Sequence, residues 1–332
     1  MSERGPIRVA GVGFVFDPVA EAVIRGVAPA GLELAFAERM QDMNEAVLYG
    51  SDVWLAVAPV TADMLARAER LRFIQKWGTG YDRIDVEAAA RRGVGVAITA
   101  GANSTTIAEH TLALMLTVLR HVAGADRAVR AGRWDPAALR PLMHGLSGKT
   151  VGIVGFGNIG KALTRMLQGF GVTVLYNRRS GRDPEGDALN ARFAEMPQLL
   201  AESDVVTLHC PGDAANRHMF AAPQFDAMKP GAVFINTARG SLVVEDDLVD
   251  ALRSGRLLGA GLDVFAEEPL SSGSPLVDLD NVVMTPHVAG GIMDNIAPMA
   301  RHAFGNILRF FNGEPLDPAD VIVPAGTADK TD

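Results

Sequence analysis

Residues 149–179 constrain this chain more than any other stretch, because they set apolar runs and glycines in an order that few folds accommodate. An apolar run at 151–154 leads into Gly155-Phe-Gly157-Asn-Ile-Gly160, and helical spacing follows at Ala162, Leu163, Met166 and Leu167. Gly171 stops that helix, and 172–176 reads as a second buried strand. Strand, G-x-G-x-x-G turn, helix and second strand together make a complete βαβ unit. Gly155 permits the tight turn, Gly157 lets a pyrophosphate approach the backbone, and Gly160 lets the helix pack closely on the strand. The helix start offers unpaired N–H groups and the positive end of its dipole to phosphates. A glycine-rich turn by itself also arises for backbone reasons. With all four elements at the right spacing, a dinucleotide cofactor is expected.

The residues after the second strand bear on which dinucleotide. An NAD site usually places Asp or Glu there, about 20 residues after the glycines, to accept hydrogen bonds from the ribose hydroxyls. This chain has Asn177, Arg178 and Arg179, followed by Ser180. No carboxylate stands at that position to repel a 2′-phosphate, and two guanidiniums can pair with one. A hydrogen bond to a charged partner contributes about 1.5–3 kcal/mol. The expectation is therefore NADP(H) as the preferred cofactor and NAD(H) as the second choice. The competing view makes both arginines solvated surface charges.

At 332 residues the chain suggests two domains, and its 48% hydrophobic content supplies ample core for both. The formal net charge of −8 argues against a general binder of nucleic acid or anionic membrane. Cys210 is the only cysteine, so no intrachain disulfide can form. The start of the chain lacks a signal-peptide pattern, and the most apolar helical stretch, near 107–119, carries Glu109 and His110. A cytoplasmic protein with neither membrane nor nucleic-acid partner is expected.

Residues 7–98 alternate short strands and helices in a parallel α/β pattern. Strands are expected at 7–15, 32–37, 53–58, 71–76 and 94–98. A second glycine pair, Gly11-Val-Gly13, has Phe16 at the third position and is read as an ordinary strand end. Residues 103–131 read as one long helix crossing between domains, with Thr106 and Glu109 spaced as a capping box. Later strands are expected at 205–209, 233–236, 259–264 and 282–284, then an apolar helix near 292–311. The acidic tail after Asp317 is read as irregular.

Ligands of open parallel sheets bind outside the carboxyl ends of the strands. Three polar stretches sit at such ends: Asn236-Thr-Ala-Arg239-Gly240, Asp263-Val-Phe-Ala-Glu267-Glu268-Pro269 and Thr285-Pro286-His287. An Arg, a Glu and a His suit hydride transfer between nicotinamide and a 2-oxo or 2-hydroxy acid. The carbonyl oxygen gains negative charge as hydride arrives at carbon, so a proton donor is required. His287 is the candidate donor in reduction and the base in oxidation. Glu268, on the other imidazole nitrogen, would orient the ring and favour its charged form. Arg239 would grip the substrate carboxylate and polarise the carbonyl. Singly, each residue has a plainer explanation in packing or surface charge; together they favour catalysis.

These blocks resemble the D-isomer-specific 2-hydroxyacid dehydrogenases. The likeness covers nearly the whole chain, including Gly78-Thr-Gly80-Tyr-Asp82, Ala102-Asn-Ser-Thr-Thr106-Ile-Ala-Glu109-His110, the Gly148–Gly160 stretch, Asp204-Val-Val-Thr-Leu-His-Cys-Pro211 and the three polar ends. The resemblance implies two Rossmann-like, doubly wound parallel-sheet domains with the cofactor cleft between them. The substrate domain would be discontinuous, 1–101 with 292–332, and 102–291 would bind the dinucleotide. It implies Arg239, Glu268 and His287 as the catalytic set, with Gly78, Thr79 and Gly80 holding the substrate carboxylate alongside Arg239. By matched position Thr106, Asn158, Ile159, Cys210, Pro211, Asn216, Thr237 and Asp263 would neighbour the cofactor, Asp263 beside the nicotinamide amide. No metal is expected, and a homodimer is, with the 103–131 helix near its interface. Asn177-Arg-Arg departs from the family's acidic NAD signature and is similar to its NADP-using glyoxylate and hydroxypyruvate reductases. Lys76 and Trp77 precede the substrate loop, Lys76 as a candidate for a second anionic group. Alternatives are a phosphoglycerate-type dehydrogenase, a formate dehydrogenase (whose relatives carry Gln at the Glu268 position) and a non-catalytic dinucleotide-sensing corepressor or scaffold.

Overall fold

Apolar runs too short for helices, bounded by glycines, become the strands of two sheets in the computed structural model, which describes residues 5–13, 17–37, 44–324 and 326. The chain divides into two units, Met1–Asn103 with Gly291–Asp332, and Ser104–Gly290. The first opens with β1 (Ile7–Val12), β2 (Leu32–Ala35), β3 (Val53–Ala56), β4 (Phe73–Lys76) and β5 (Gly95–Ala97). The second supplies β6 (Thr150–Val154), β7 (Thr173–Asn177), β8 (Ala191–Phe193), β9 (Val205–Leu208), β10 (Ala232–Asn236), β11 (Leu257–Leu262) and β12 (Val282–Met284). The chain then returns to the first unit and adds β13 (Val321–Val323). Residues 14–16, the expected end of the first strand and the third position after Gly11 and Gly13, lie outside the described residues.

In the first unit the sheet order is β13-β5-β4-β3-β1-β2. Its strands are apolar on both faces, as a covered parallel sheet requires. Trp54 and Ile74 pack on one side with Leu65, while Leu55 and Phe73 face Phe304 and Ile307 on the other. The Phe304 side comes from the helix Met293–Asn312, which carries the chain back into this unit. β13 runs antiparallel to β5 at the edge of an otherwise parallel sheet, correcting the expectation of an irregular tail. The cause is Asp320, only 2% exposed. Its carboxylate accepts from Ala100 N at 2.8 Å and Asn306 Nδ2 at 3.1 Å and meets His302 Nε2 at 2.6 Å, and its carbonyl accepts from Ile98 N. A buried carboxylate so engaged pins the segment to the sheet edge.

The second sheet is parallel throughout, in the order β12-β11-β10-β9-β6-β7-β8. The strand order reverses between β6 and β9, so the carboxyl end of β6 sits at the switch point where such sheets hold ligands. The helix Ser104–Leu119 packs on this sheet through Leu114 and Val118. It comes close because Gly259 and Gly261 on β11 lack side chains: a Cβ there would stand 2.9 Å from Val118 and 3.0 Å from Leu114.

The expected single helix over 103–131 is in fact two, Ser104–Leu119 and Val122–Arg130. His121 takes the left-handed conformation (φ 50°), which ends the i→i−4 ladder. Its ring lies over Gly124, where a Cβ would come within 2.1 Å of Nε2. The capping box at Thr106 and Glu109 is also corrected: the helix already begins at Ser104, with Thr106 buried in its first turn.

Candidate active site

The glycine turn leaves β6 with Gly155 at φ 98°, where a Cβ would be 2.5 Å from the His209 carbonyl carbon. Gly160 lies against the Gly155 carbonyl, which a Cβ would meet at 2.7 Å. Gly157 differs from both, for nothing lies within 4 Å of its missing side chain. It precedes the helix Asn158–Leu167, whose start has no side-chain cap, with Gly157 and Asn158 exposed and Ile159 half-buried. Tight turn, open approach and uncapped N–H groups fit a dinucleotide pyrophosphate.

Beyond β7, the structure brings together residues that are far apart in sequence. Arg179 Nη2 donates to Asn216 Oδ1 at 2.9 Å and lies 3.7 Å from Asp213. Asn216 Nδ2 in turn donates to the Pro211 carbonyl at 2.9 Å. Asn177 turns away, its amide donating to the Ala194 carbonyl. Arg178 is not a free surface charge. Its Nε donates to Ser180 Oγ at 2.6 Å and its Nη1 pairs with the carboxylate of Asp183. The strand end carries no carboxylate, but the fold returns one a few residues later. Sequence reasoning passed over Asp183 and over Lys161, which meets Asp183 at 3.1 Å and Glu185 at 2.7 Å. The available signal was Asp183-Pro184, an N-cap followed by proline at the first helical position.

Cys210 is half-buried next to this region, and burial pushes its thiol up to about 11, so it stays uncharged at neutral pH. His209 is driven down to about 3 by burial, which removes it as an acid–base candidate. Thr237 shares a hydrogen bond with Thr111 at 2.9 Å, joining the end of β10 to the helix Ser104–Leu119.

The candidate catalytic residues lie at the carboxyl ends of β10, β11 and β12. Arg239 follows β10 in a turn bracketed by Asn236, whose amide donates to the Arg239 carbonyl and accepts from Ala238 N. Gly240 rests directly on the Phe265 backbone: a Cβ there would stand 1.9 Å from its carbonyl carbon. That contact sets Arg239 beside the segment ending in Glu268. Glu268 Oε2 lies 2.9 Å from His287 Nδ1, and its Oε1 accepts from Phe265 N at 3.2 Å. The pair is partly open to solvent, with the His287 side chain 46% exposed.

His287 has φ 54°, a conformation costing about 1–3 kcal/mol in a residue with a side chain. Asp263 holds it there. Its carbonyl accepts from His287 N at 2.8 Å, and its carboxylate accepts from Val288 N and Ala289 N, both at 2.9 Å, and from Thr285 Oγ1 at 2.6 Å. Expected beside a nicotinamide amide, Asp263 is fully buried with both carboxylate oxygens engaged by the loop bearing His287. His110 Nε2 completes the cluster, 2.9 Å from Thr285 Oγ1.

In the first unit, Gly78 (φ 100°) donates its N–H to Thr99 Oγ1, while Thr79 is exposed and its hydroxyl lies 3.5 Å from Asn103. Trp77 packs against the core on the Phe304 side, and Lys76 Nζ donates to the Trp77 carbonyl at 2.7 Å.

The family model of the D-isomer specific 2-hydroxyacid dehydrogenase NAD binding domain matches residues 112–289. A glyoxylate reductase of Thermococcus litoralis is 38% identical over 267 residues, 79% of this chain and 80% of that one. A solved protein of Thermus thermophilus is 34% identical with a TM-score of 0.82, over 95% of this chain and 100% of the other. The NAD-dependent formate dehydrogenase of Staphylococcus aureus, solved with NAD, is 26% identical with a TM-score of 0.84, over 96% and 99% of the two chains.

Proposed function

The chain belongs to the D-isomer specific 2-hydroxyacid dehydrogenases, and on that premise we propose that it is an NADPH-linked reductase of small 2-oxo acids such as glyoxylate and hydroxypyruvate. It is an NAD(P)-dependent oxidoreductase that interconverts 2-oxo and 2-hydroxy acids. The hydrogen bond between Glu268 and His287 carries the catalytic assignment. The substrate preference is carried by the likeness to glyoxylate reductases, and the cofactor preference by Arg178 and Arg179 in place of an acidic residue.

When bound, the nicotinamide supplies the hydride in reduction and accepts it in oxidation. With Nδ1 engaged by Glu268, His287 presents Nε2 to the substrate and protonates the carbonyl oxygen as charge develops there. Glu268 fixes the tautomer and balances the imidazolium charge. Arg239 grips the substrate carboxylate with its planar fork of donors, and the Gly78–Gly80 backbone is assigned the same anion. Residues 102–291 are proposed as the dinucleotide domain and 1–101 with 292–332 as the substrate domain. Thr106, Cys210, Pro211, Asn216 and Thr237 are assigned to the cofactor's surroundings.

A homodimer is part of the same proposal. Val122, Val129, Trp134 and Leu142 follow the kink at His121 and are 51%, 53%, 80% and 45% exposed. That is much apolar surface along one stretch, and a second copy would cover it. Among the described residues no helix is long and apolar enough to cross a membrane. A cytoplasmic location is proposed from the cofactor class.

Initial rates of NADPH and NADH oxidation against glyoxylate, hydroxypyruvate, pyruvate and phenylpyruvate test the reading directly. A strong NADPH preference with glyoxylate or hydroxypyruvate best is expected. Faster NADH oxidation would remove Arg178 and Arg179 as 2′-phosphate contacts, and no turnover with any acid would bring the sensor alternative forward.

A further inference from the structure

The loop after β7 is folded back on itself, and its path is set by aromatic packing. Tyr176 stacks on Phe156 of the glycine turn, ring centroids 3.9 Å apart, and its hydroxyl accepts from Asp183 N at 2.8 Å. Gly186 makes room, since a Cβ there would come within 2.6 Å of that hydroxyl. A turn closed by Gly181 N on the Arg178 carbonyl brings the chain round. The outcome is that the Asp183 carboxylate lies behind Arg178, its side chain 4% exposed, while Arg178 is 32% exposed.

Asp183 cannot easily yield that position. Oδ1 caps the next helix through Glu185 N at 2.9 Å, and Oδ2 takes Lys161 at 3.1 Å together with Arg178. Burial alone would raise its pKa, but the Glu185 amide, Lys161 and Arg178 hold it below the ordinary carboxylate range. It is therefore ionised at any pH where the protein works. A conventional NAD site puts a carboxylate at the strand end, facing the ribose. Here the carboxylate is set back and a guanidinium stands in front of it.

We propose that Asp183 sets the degree of discrimination between NADP(H) and NAD(H) by competing with the 2′-phosphate for Arg178. The inference rests on the reading of Arg178 and Arg179 as the 2′-phosphate contacts. A bound phosphate shares the Arg178 guanidinium with a fixed negative charge behind it, so part of the cation's attraction is already taken up within the protein. Asp183 is a positioning residue acting through Arg178, with Lys161 as its second counter-ion.

The test is calorimetric titration of the folded protein with NADP⁺ and NAD⁺, which needs no turnover. Asp183→Asn and Asp183→Ser both keep an acceptor for the Glu185 amide, and thermal melting checks that each folds. The ratio of the NAD⁺ to NADP⁺ dissociation constants should rise by about ten-fold in either variant, the scale of one partly screened charge interaction. Arg178→Ala should lower the ratio, and adding Asp183→Asn to it should bring no further rise. An unchanged or lower ratio in both folded Asp183 variants overturns the proposal, as does a full rise in the Arg178→Ala background. The cofactor reading is judged separately, by the wild-type ratio. Equal wild-type affinities combined with a rise on Asp183→Asn would remove the NADPH preference and keep the role of Asp183.

Discussion

Two buried aspartates, Asp263 and Asp183, stand one step behind the two ends of the candidate site, and they do different physical work. Asp263 is fully buried, and its carboxylate accepts from two backbone amides and one hydroxyl, with His110 Nε2 3.6 Å away. Asp183 is nearly as buried, yet two of its three donors are cations. A carboxylate held by amides is a clamp, because amide hydrogen bonds are directional and do not cancel its charge. A carboxylate held by Lys and Arg is mainly a counter-charge, setting how much of each cation is left for a ligand. The chemistry at each end explains the difference. On the proposed roles, His287 would have to keep one orientation against a strained backbone, whereas Arg178 would need its charge adjusted more than its direction.

The comparison breaks most sharply at His287 itself. His287→Ala should lower kcat by about 10²–10⁴, the range that a positioned general acid supplies, while the cofactor dissociation constant changes little. Steady-state kinetics beside calorimetry would show it, and near-normal turnover would end the catalytic assignment. Asp263→Asn tests the clamp. It sets an amide NH2 or a single oxygen against two backbone donors, at a cost of about 2–4 kcal/mol in urea unfolding, and kcat should fall with it. Full activity together with reduced stability would show that the clamp supports the fold but not the reaction.

Glu268→Gln removes the charge and keeps the shape. A fall of about 10–100-fold in kcat for reduction is expected, smaller than the loss on removing the imidazole. A change confined to KM would place Glu268 in binding instead. The smallest expected effect is the pH dependence of the Asp183 contribution. Its folded-state pKa lies below the unfolded value of about 3.9, so its contribution to stability is complete above that value and fades as pH falls through the folded one. The stability gap between wild type and Asp183→Asn should be constant near neutrality and narrow below about pH 4. A gap that stayed the same down to about pH 2 would mean that the carboxylate's charge contributes nothing.

What was legible in the sequence was local. The alternation of short apolar runs and helical spacing determined two parallel α/β units, since a strand buried on both faces and a helix with one apolar side leave distinct periods. The tight turn at Gly155 and the close packing at Gly160 were legible in the glycine spacing alone, and the polar ends after β10, β11 and β12 marked where Arg239, Glu268 and His287 would lie. Tertiary structure decided the features that depend on partners distant in the chain. His121 breaks the long helix because its ring fills the space over Gly124, which no periodicity of apolar residues encodes. Asp320 turns an acidic tail into an antiparallel edge strand by collecting donors from Ala100, His302 and Asn306. Asp183 meets Arg178 only because Tyr176 and Gly186 fold the loop back, and Asp263 grips residues 285–289 across 22 or more positions of chain. Backbone propensity and hydrophobic period act over a few residues and are written in order along the chain. The pairing of a buried charge is settled only when the packed fold has decided which donors are left to meet it.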